Sequence, residues 1–251
     1  MLGRTHATAG VVLALAAVPA LTSLGVVGNA WTVPLVVAAA AGGAMCPDFD
    51  HPRATVADSL GIVTRVLSEF VEKVSGGHRN GTHSLLGAAV FIAVTALVMR
   101  LGGLAAGLWC GFLFTVGFAA LELGFSKRSK LLHAVVSLAA GVVLVRIATA
   151  QTLQVPLDLV TWGFGIGYLS HLASDALTKE GLPLFYPLVK QRLGIGVITT
   201  GQFVEKSIIA PLLGLAAVVE VVWLVGGPDP VLGVGALDPG AALRGLLDLT
   251  A

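Results

Sequence analysis

Seven apolar runs dominate this chain and leave it few folds to choose from. They are residues 7–27, 31–46, 84–99, 104–123, 131–147, 157–177 and 207–225. A helix that crosses a bilayer needs about 20 mostly apolar residues, and in lipid only helices and closed barrels pair every backbone polar group. The second and third runs are short for a full span. Arg100-Leu101-Gly102-Gly103, between the third and fourth, reads as a tight helical hairpin. The expectation is an all-α, polytopic transmembrane helix bundle of about seven spans. Composition agrees: 56% of the residues are hydrophobic and 12% are charged, against about 25% charged in a soluble domain.

The hydropathy excludes disorder, and a net charge of +1 argues against the basic surface that nucleic-acid binding requires. Cys46 and Cys110 end or interrupt apolar segments, so a disulfide framework is not expected. Cys46 reads as a buried thiol, although it stands beside carboxylates and has ligand chemistry. Arg4, the first apolar run and Val18-Pro19-Ala20 imitate a signal peptide. An uncleaved first helix is expected instead, because six more apolar runs follow it and cleavage would remove His6. Residues 1–226 read as one transmembrane domain, with 227–251 a short Gly- and Pro-rich tail.

Threading the runs through a membrane collects the loops at 47–83, 126–130 and 178–206 on the side of the N-terminus. Twelve of the fifteen Lys and Arg residues fall on that side; Arg100, Arg146 and Arg244 do not. Positive residues mark the cytoplasmic side. The expected protein is therefore a multi-pass component of the inner (cytoplasmic) membrane with its N-terminus inside.

The same threading gathers His6, His51, His78, His83, His171, Asp48, Asp50, Asp175 and Glu205 at that cytoplasmic face. Ionisable residues in membrane segments cost roughly 2.5–3.5 kcal/mol each on insertion scales and usually mark function. Pro47 stops the second helix, and an extended Asp48-Phe49-Asp50 would point both carboxylates one way, where they repel unless a cation or proton lies between them. Alternatively they form a polar helix end. His78-Arg79-Asn80-Gly81-Thr82-His83-Ser84 brings its two histidines together if Asn80-Gly81 turns, with Thr82 or Ser84 capping the next helix. Arg79 offers a planar fork for phosphate, or serves as a plain anchor. His171 and Asp175 share a helical face one turn apart, either ligating one metal together or as ligand and orienting partner. Glu205 is either a further ligand or an interfacial acid paired with Lys206. His133 reads as a core or interfacial residue.

Imidazole and carboxylate ligands suit a divalent metal, with Zn expected and Mn or Fe also compatible, as one ion or two. His6, Asp48, His78, His83, His171, Asp175 and Glu205 are the candidate ligands; Asp50 and Arg79 are the candidate catalytic groups.

Thr5-His6, Pro47-Asp48-Phe49-Asp50-His51, the His78–Ser84 stretch and Gly167-Tyr168-x-x-His171-x-x-x-Asp175-x-x-Thr178-x-x-Gly181 together resemble the YdjM-like family, whose members are described as membrane-bound metal-dependent hydrolases. The resemblance runs from about residue 4 to residue 210. More distantly, the set is similar to zinc-dependent phospholipase C and the fungal single-strand nucleases. It implies His6, Asp48, His78 or His83, His171 and Asp175 as metal ligands. The chain lacks those soluble relatives' N-terminal Trp and second His-rich motif, so their three-zinc site is not implied. The expected activity is metal-dependent hydrolysis of a phosphate ester, with a phospholipid or other lipid-linked phosphate as substrate and no nucleic-acid partner. Two alternatives stand beside it: a cation or proton transporter, which needs polar residues through the membrane centre, and a scaffold with a structural metal.

Overall fold

Each apolar run becomes a helix because its backbone has no other partner in lipid. The computed structural model describes residues 1–27, 32–123, 130–149 and 156–226. Helix α1 is Gly3–Ser23, α2 Thr32–Gly43, α3 Ile62–Val74, α4 Leu85–Leu101, α5 Gly103–Ala120, α6 Lys130–Thr149, α7 Asp158–Ala176 and α8 Ala210–Gly226. A 3₁₀ turn, Pro47–Asp50, follows α2, and a π turn, Glu205–Ile209, leads into α8. Among the described residues there is no strand, only the isolated bridges Thr178–Ile198 and Leu182–Leu193. Among the described residues, four stretches are long and apolar enough to cross a membrane: Gly3–Ser23, Thr32–Asp50, Gly103–Ala120 and Glu205–Gly226. Leu85–Leu101 and Leu131–Ile147 are shorter apolar helices. The start of the second run at Trp31, the cations Lys127 and Arg128, and the tail 227–251 lie outside the described residues.

Helix α2 is the hub. It is built almost wholly of small and β-branched residues, is nearly all buried, and packs on α1, α5 and α7. Gly163 and Gly167, one turn apart on α7, let that helix approach α2 until the backbones touch. A Cβ at Gly167 would lie 2.0 Å from the Ala40 carbonyl oxygen, and one at Gly163 2.4 Å from that of Val36. Small residues at this spacing let membrane helices pack by van der Waals contact where no hydrophobic force operates. Phe164 and Tyr168, both fully buried, then complete the core against this seam. The close approach fixes the height of α7 on α2, and with it the position of His171.

Two expectations are corrected. Asp48-Phe49-Asp50 is not extended: Pro47 opens a 3₁₀ turn, to which its fixed φ is suited. Residues two apart in such a turn diverge, so the two carboxylates face different partners. The 47–83 loop also contains a helix, α3, that a search for 20-residue apolar runs passes over, because thirteen residues carrying Arg65, Glu69, Glu72 and Lys73 do not resemble a span. The hairpin at Arg100–Gly103 forms as expected, with only Gly102 between α4 and α5.

Candidate metal centre

The starts of α1 and α4 and the ends of α2 and α7 meet at one end of the bundle. His6 comes from the first turns of α1, Asp48 from the turn after α2, His83 from the residue before the α4 cap, and His171 and Asp175 from the last turns of α7. Ser84, not Thr82, caps α4, accepting from the Gly87 amide at 3.1 Å. The Asn80–Gly81 turn closes as the His83 amide donates to Asn80 O at 3.1 Å.

His6, His171 and Asp175 form one group whose ligand atoms all lie within 4.8 Å of one another; Asp48, His83 and His171 form a second, and His171 belongs to both. His6 Nε2 lies 3.3 Å from Asp175 Oδ1, and His171 Nε2 3.6 Å from Asp175 Oδ2. His83 Nε2 is 3.4 Å from Asp48 Oδ1 and 3.8 Å from Asp175 Oδ2. His171 Nε2 is 3.9 Å from Asp48 Oδ1. Bonds of about 2.0–2.2 Å at tetrahedral angles put neighbouring ligand atoms roughly 3.4 Å apart, so these separations fit donors around a cation.

A second observation supports that fit. Nε2 of His6, His83 and His171 and Oδ2 of Asp175 are buried without a hydrogen-bond partner. Native structures rarely orphan buried polar atoms, and here four of them converge. The far side of two rings is tied down. His171 Nδ1 donates to Ala44 O at 2.6 Å. His83 Nδ1 lies 3.0 Å from Thr82 Oγ1, whose own proton goes to Asp50 Oδ2. With Nδ1 protonated, each ring turns the Nε2 lone pair into the centre, the outer-shell arrangement that ligating histidines usually show. Burial by itself would lower the pKa of the His83 imidazolium, but the carboxylates of Asp48 and Asp50 outweigh it and raise it to about 9. A proton and a cation compete for the same lone pair.

Behind this centre, Asp50 is fully buried and heavily used. It accepts from Thr82 Oγ1, from the Arg79 amide at 3.0 Å and from His78 Nδ1 at 2.8 Å. His78 therefore stands beside the group of close ligands, held by Asp50 and partly exposed, with the His51 ring edge-on at 4.6 Å. Arg79 has φ of 60°, a left-handed conformation that costs a non-glycine residue energy and persists where the surroundings enforce it. Its guanidinium pairs with Glu180, and Nη2 reaches within 3.8 Å of Asp175 Oδ2.

Glu205 stands apart from both groups. Its oxygens accept from the backbone amides of Leu2 and Gly201, each at 2.6 Å, so it ties α8 to the chain entering α1. The Met1 nitrogen lies 2.8 Å from Asp175 Oδ1. Cys46 is buried against Gly42 O, outside either group. His133 Nε2 donates to Thr115 O at 3.2 Å, on the α5–α6 seam. Three contributors had no clear sequence signal: Thr82, the Ala44 carbonyl, and Tyr168, whose hydroxyl donates to Thr82 O at 2.5 Å and locks the His83 loop to α7. Tyr168 precedes His171 by one helical turn, which was the available clue.

A family model described as YdjM inner membrane protein matches residues 1–228. The chain belongs to that family. No curated protein and no solved structure matches it.

Proposed function

We propose that this YdjM-family chain is a membrane-bound metal-dependent hydrolase of phosphate esters, acting on a phospholipid or lipid-linked phosphate at the cytoplasmic face of the inner membrane. The convergence of four orphaned buried donor atoms, three imidazole and one carboxylate, carries the reading. The twelve-of-fifteen bias of Lys and Arg supports a cytoplasmic location for that end of the bundle. His6, His83, His171, Asp48 and Asp175 would hold the metal; Zn suits this mixture of nitrogen and oxygen ligands, as do Mn and Fe. Bound there, a divalent ion supplies Lewis-acid charge at a phosphoryl oxygen and lowers the pKa of a water.

The remaining residues do ordinary work around it. Asp50 fixes the tautomer of His78, leaving Nε2 at the partly exposed rim to take a proton and return it to the leaving oxygen. Arg79 presents a charged fork beside Asp175 that fits two phosphoryl oxygens, and Glu180 holds it at the mouth. Asp48, with its side chain 21% exposed, gives the centre an edge open to substrate. Purified protein in lipid with added metal is expected to release inorganic phosphate or a phosphorylated head group from phospholipids. No release from any phospholipid under metal-replete conditions would refute the phosphoesterase reading.

A closed structural metal is the second reading, favoured by the complete burial of His6, His83 and His171. Structural sites fill every coordination position, whereas catalytic ones keep one open. Rapid exchange of the bound metal with a chelator supports the catalytic reading, and retention for days supports the structural one.

A further inference from the structure

Helix α7 ends at Ala176, and the chain then runs without regular structure back past α4. There Leu85 and Leu86 of α4 face Leu184 to Leu188 across an apolar groove of about 350 Å³. The groove is tied shut at its base by the Leu85 amide donating to Leu184 O at 2.9 Å. Both walls are joined to the metal centre by short stretches of chain. His83 stands two residues before Leu85, and Glu180, the partner of Arg79, lies four before Leu184. We infer that this groove is a binding site for an acyl chain of a phospholipid, entered from the bilayer, with the lipid's phosphate directed to the metal centre. That the lipid is a substrate rests on the hydrolase reading above; that the groove takes its chain does not.

Three observations select an acyl chain as the occupant. The groove is continuous with the outward face of α4, where Leu86, Val90 and Leu97 are exposed on an apolar helix, so it opens onto the lipid-facing surface. Its outer lip projects Leu188, 91% exposed, followed at once by the exposed cations Lys190 and Arg192. An apolar tip with cations just behind it suits insertion beneath anionic head groups. Finally, α3 packs on the turn that carries Asp48 and Asp50 while turning its apolar side outward. Ile62, Val63, Val66 and Phe70 are exposed, whereas the small polar Thr64 and Ser68 are buried. A helix with this polarity lies along the interface with its apolar face in the acyl boundary, which sets the bilayer surface level with the metal centre. The centre and the groove then meet a lipid as head group and chain.

The test uses the whole chain in detergent, freed of co-purifying lipid, with phosphatidylglycerol bearing a diazirine on one acyl chain as probe. Photolabelling is expected to saturate, to concentrate in the peptides containing Leu85–Leu86 and Leu184–Leu188, and to be displaced by unlabelled phosphatidylglycerol. Leu86→Trp, which fills the groove, and Leu188→Asp, a change at an exposed position that the fold tolerates, should each weaken labelling roughly tenfold, as expected when about two methylenes lose apolar contact. Leu215→Trp, on the exposed face of α8, should leave it unchanged. Labelling spread evenly over α1, α6 and α8, and indifferent to the groove variants, would overturn the inference. Labelling needs no turnover. Groove labelling without release of phosphate or a phosphorylated head group therefore upholds the acyl site and sinks the hydrolase reading. Phosphate release from a soluble ester without groove labelling does the opposite.

Discussion

The His171 ring is held from behind by Ala44: Nδ1 donates to the Ala44 carbonyl at 2.6 Å, and Nε2 is left facing Asp175 and Asp48. A carbonyl cannot change its charge or accept in two tautomers, so it commits the ring to presenting a lone pair. The bond exists because α7 lies against α2 along Gly163 and Gly167. Ligand geometry and helix packing are thus one property of this bundle.

Gly167→Ala tests that dependence away from any ligand. The new Cβ would overlap the Ala40 carbonyl oxygen, forcing α7 outward and drawing His171 from Ala44. The expected cost is roughly 1–3 kcal/mol of stability, as for other overpacked cores, with weakened metal affinity. Thermal unfolding and metal titration in detergent read both. An unchanged affinity would show that the seam does not set the site.

His78 and Asp50 should separate from the ligands. His78→Ala and Asp50→Asn are expected to keep metal content while lowering kcat by roughly 10²–10⁴-fold, the usual contribution of a positioned acid or base. Loss of metal from His78→Ala would instead make it a ligand.

Arg79→Lys retains the charge and loses the fork. Charged hydrogen bonds contribute roughly 1.5–3 kcal/mol, so kcat/KM for a phosphate ester should fall roughly ten- to hundredfold with metal content intact. Equal kcat/KM for the two proteins would remove Arg79 from substrate binding.

Glu205→Gln addresses the acid that lies apart from the centre. A neutral amide accepts with one oxygen where the carboxylate accepts with two, so the Leu2 or Gly201 amide loses its partner. Stability should drop by about 1–3 kcal/mol and metal stoichiometry should hold. A fall in stoichiometry would return Glu205 to the ligand set.

Much of this arrangement was legible beforehand, for physical reasons. The helices were, because lipid forces apolar runs of sufficient length into helical form; each of the seven runs corresponds to a helix among the described residues. The meeting of His6, Asp48, His83, His171 and Asp175 at one end followed from threading alone, since successive spans return to the same side. The i, i+4 spacing of His171 and Asp175 needed only helical periodicity. What stayed hidden depends on tertiary contact. Whether Asp48 or Asp50 faces the centre turns on one 3₁₀ turn, and whether His78 or His83 does turns on Tyr168 and Thr82 fixing the loop. Helix α3 escaped because its apolar residues face outward, a polarity that a search for spans or buried faces does not detect. Glu205 was ambiguous because a carboxylate that ties backbone amides reads the same as one that ligates metal.

The most direct measurement is the metal content of detergent-purified protein by elemental analysis, comparing the wild type with the His171→Ala, Asp175→Ala double variant and with the chelator-treated wild type. One or two equivalents of a divalent metal per chain are expected in the wild type and none in the variant. Chelation should also lower the unfolding temperature, since a bound ion stabilises the fold by mass action. Folded wild-type protein that carries no metal after purification from metal-replete cells would contradict the metal centre, and the four buried donor atoms would then need a different partner.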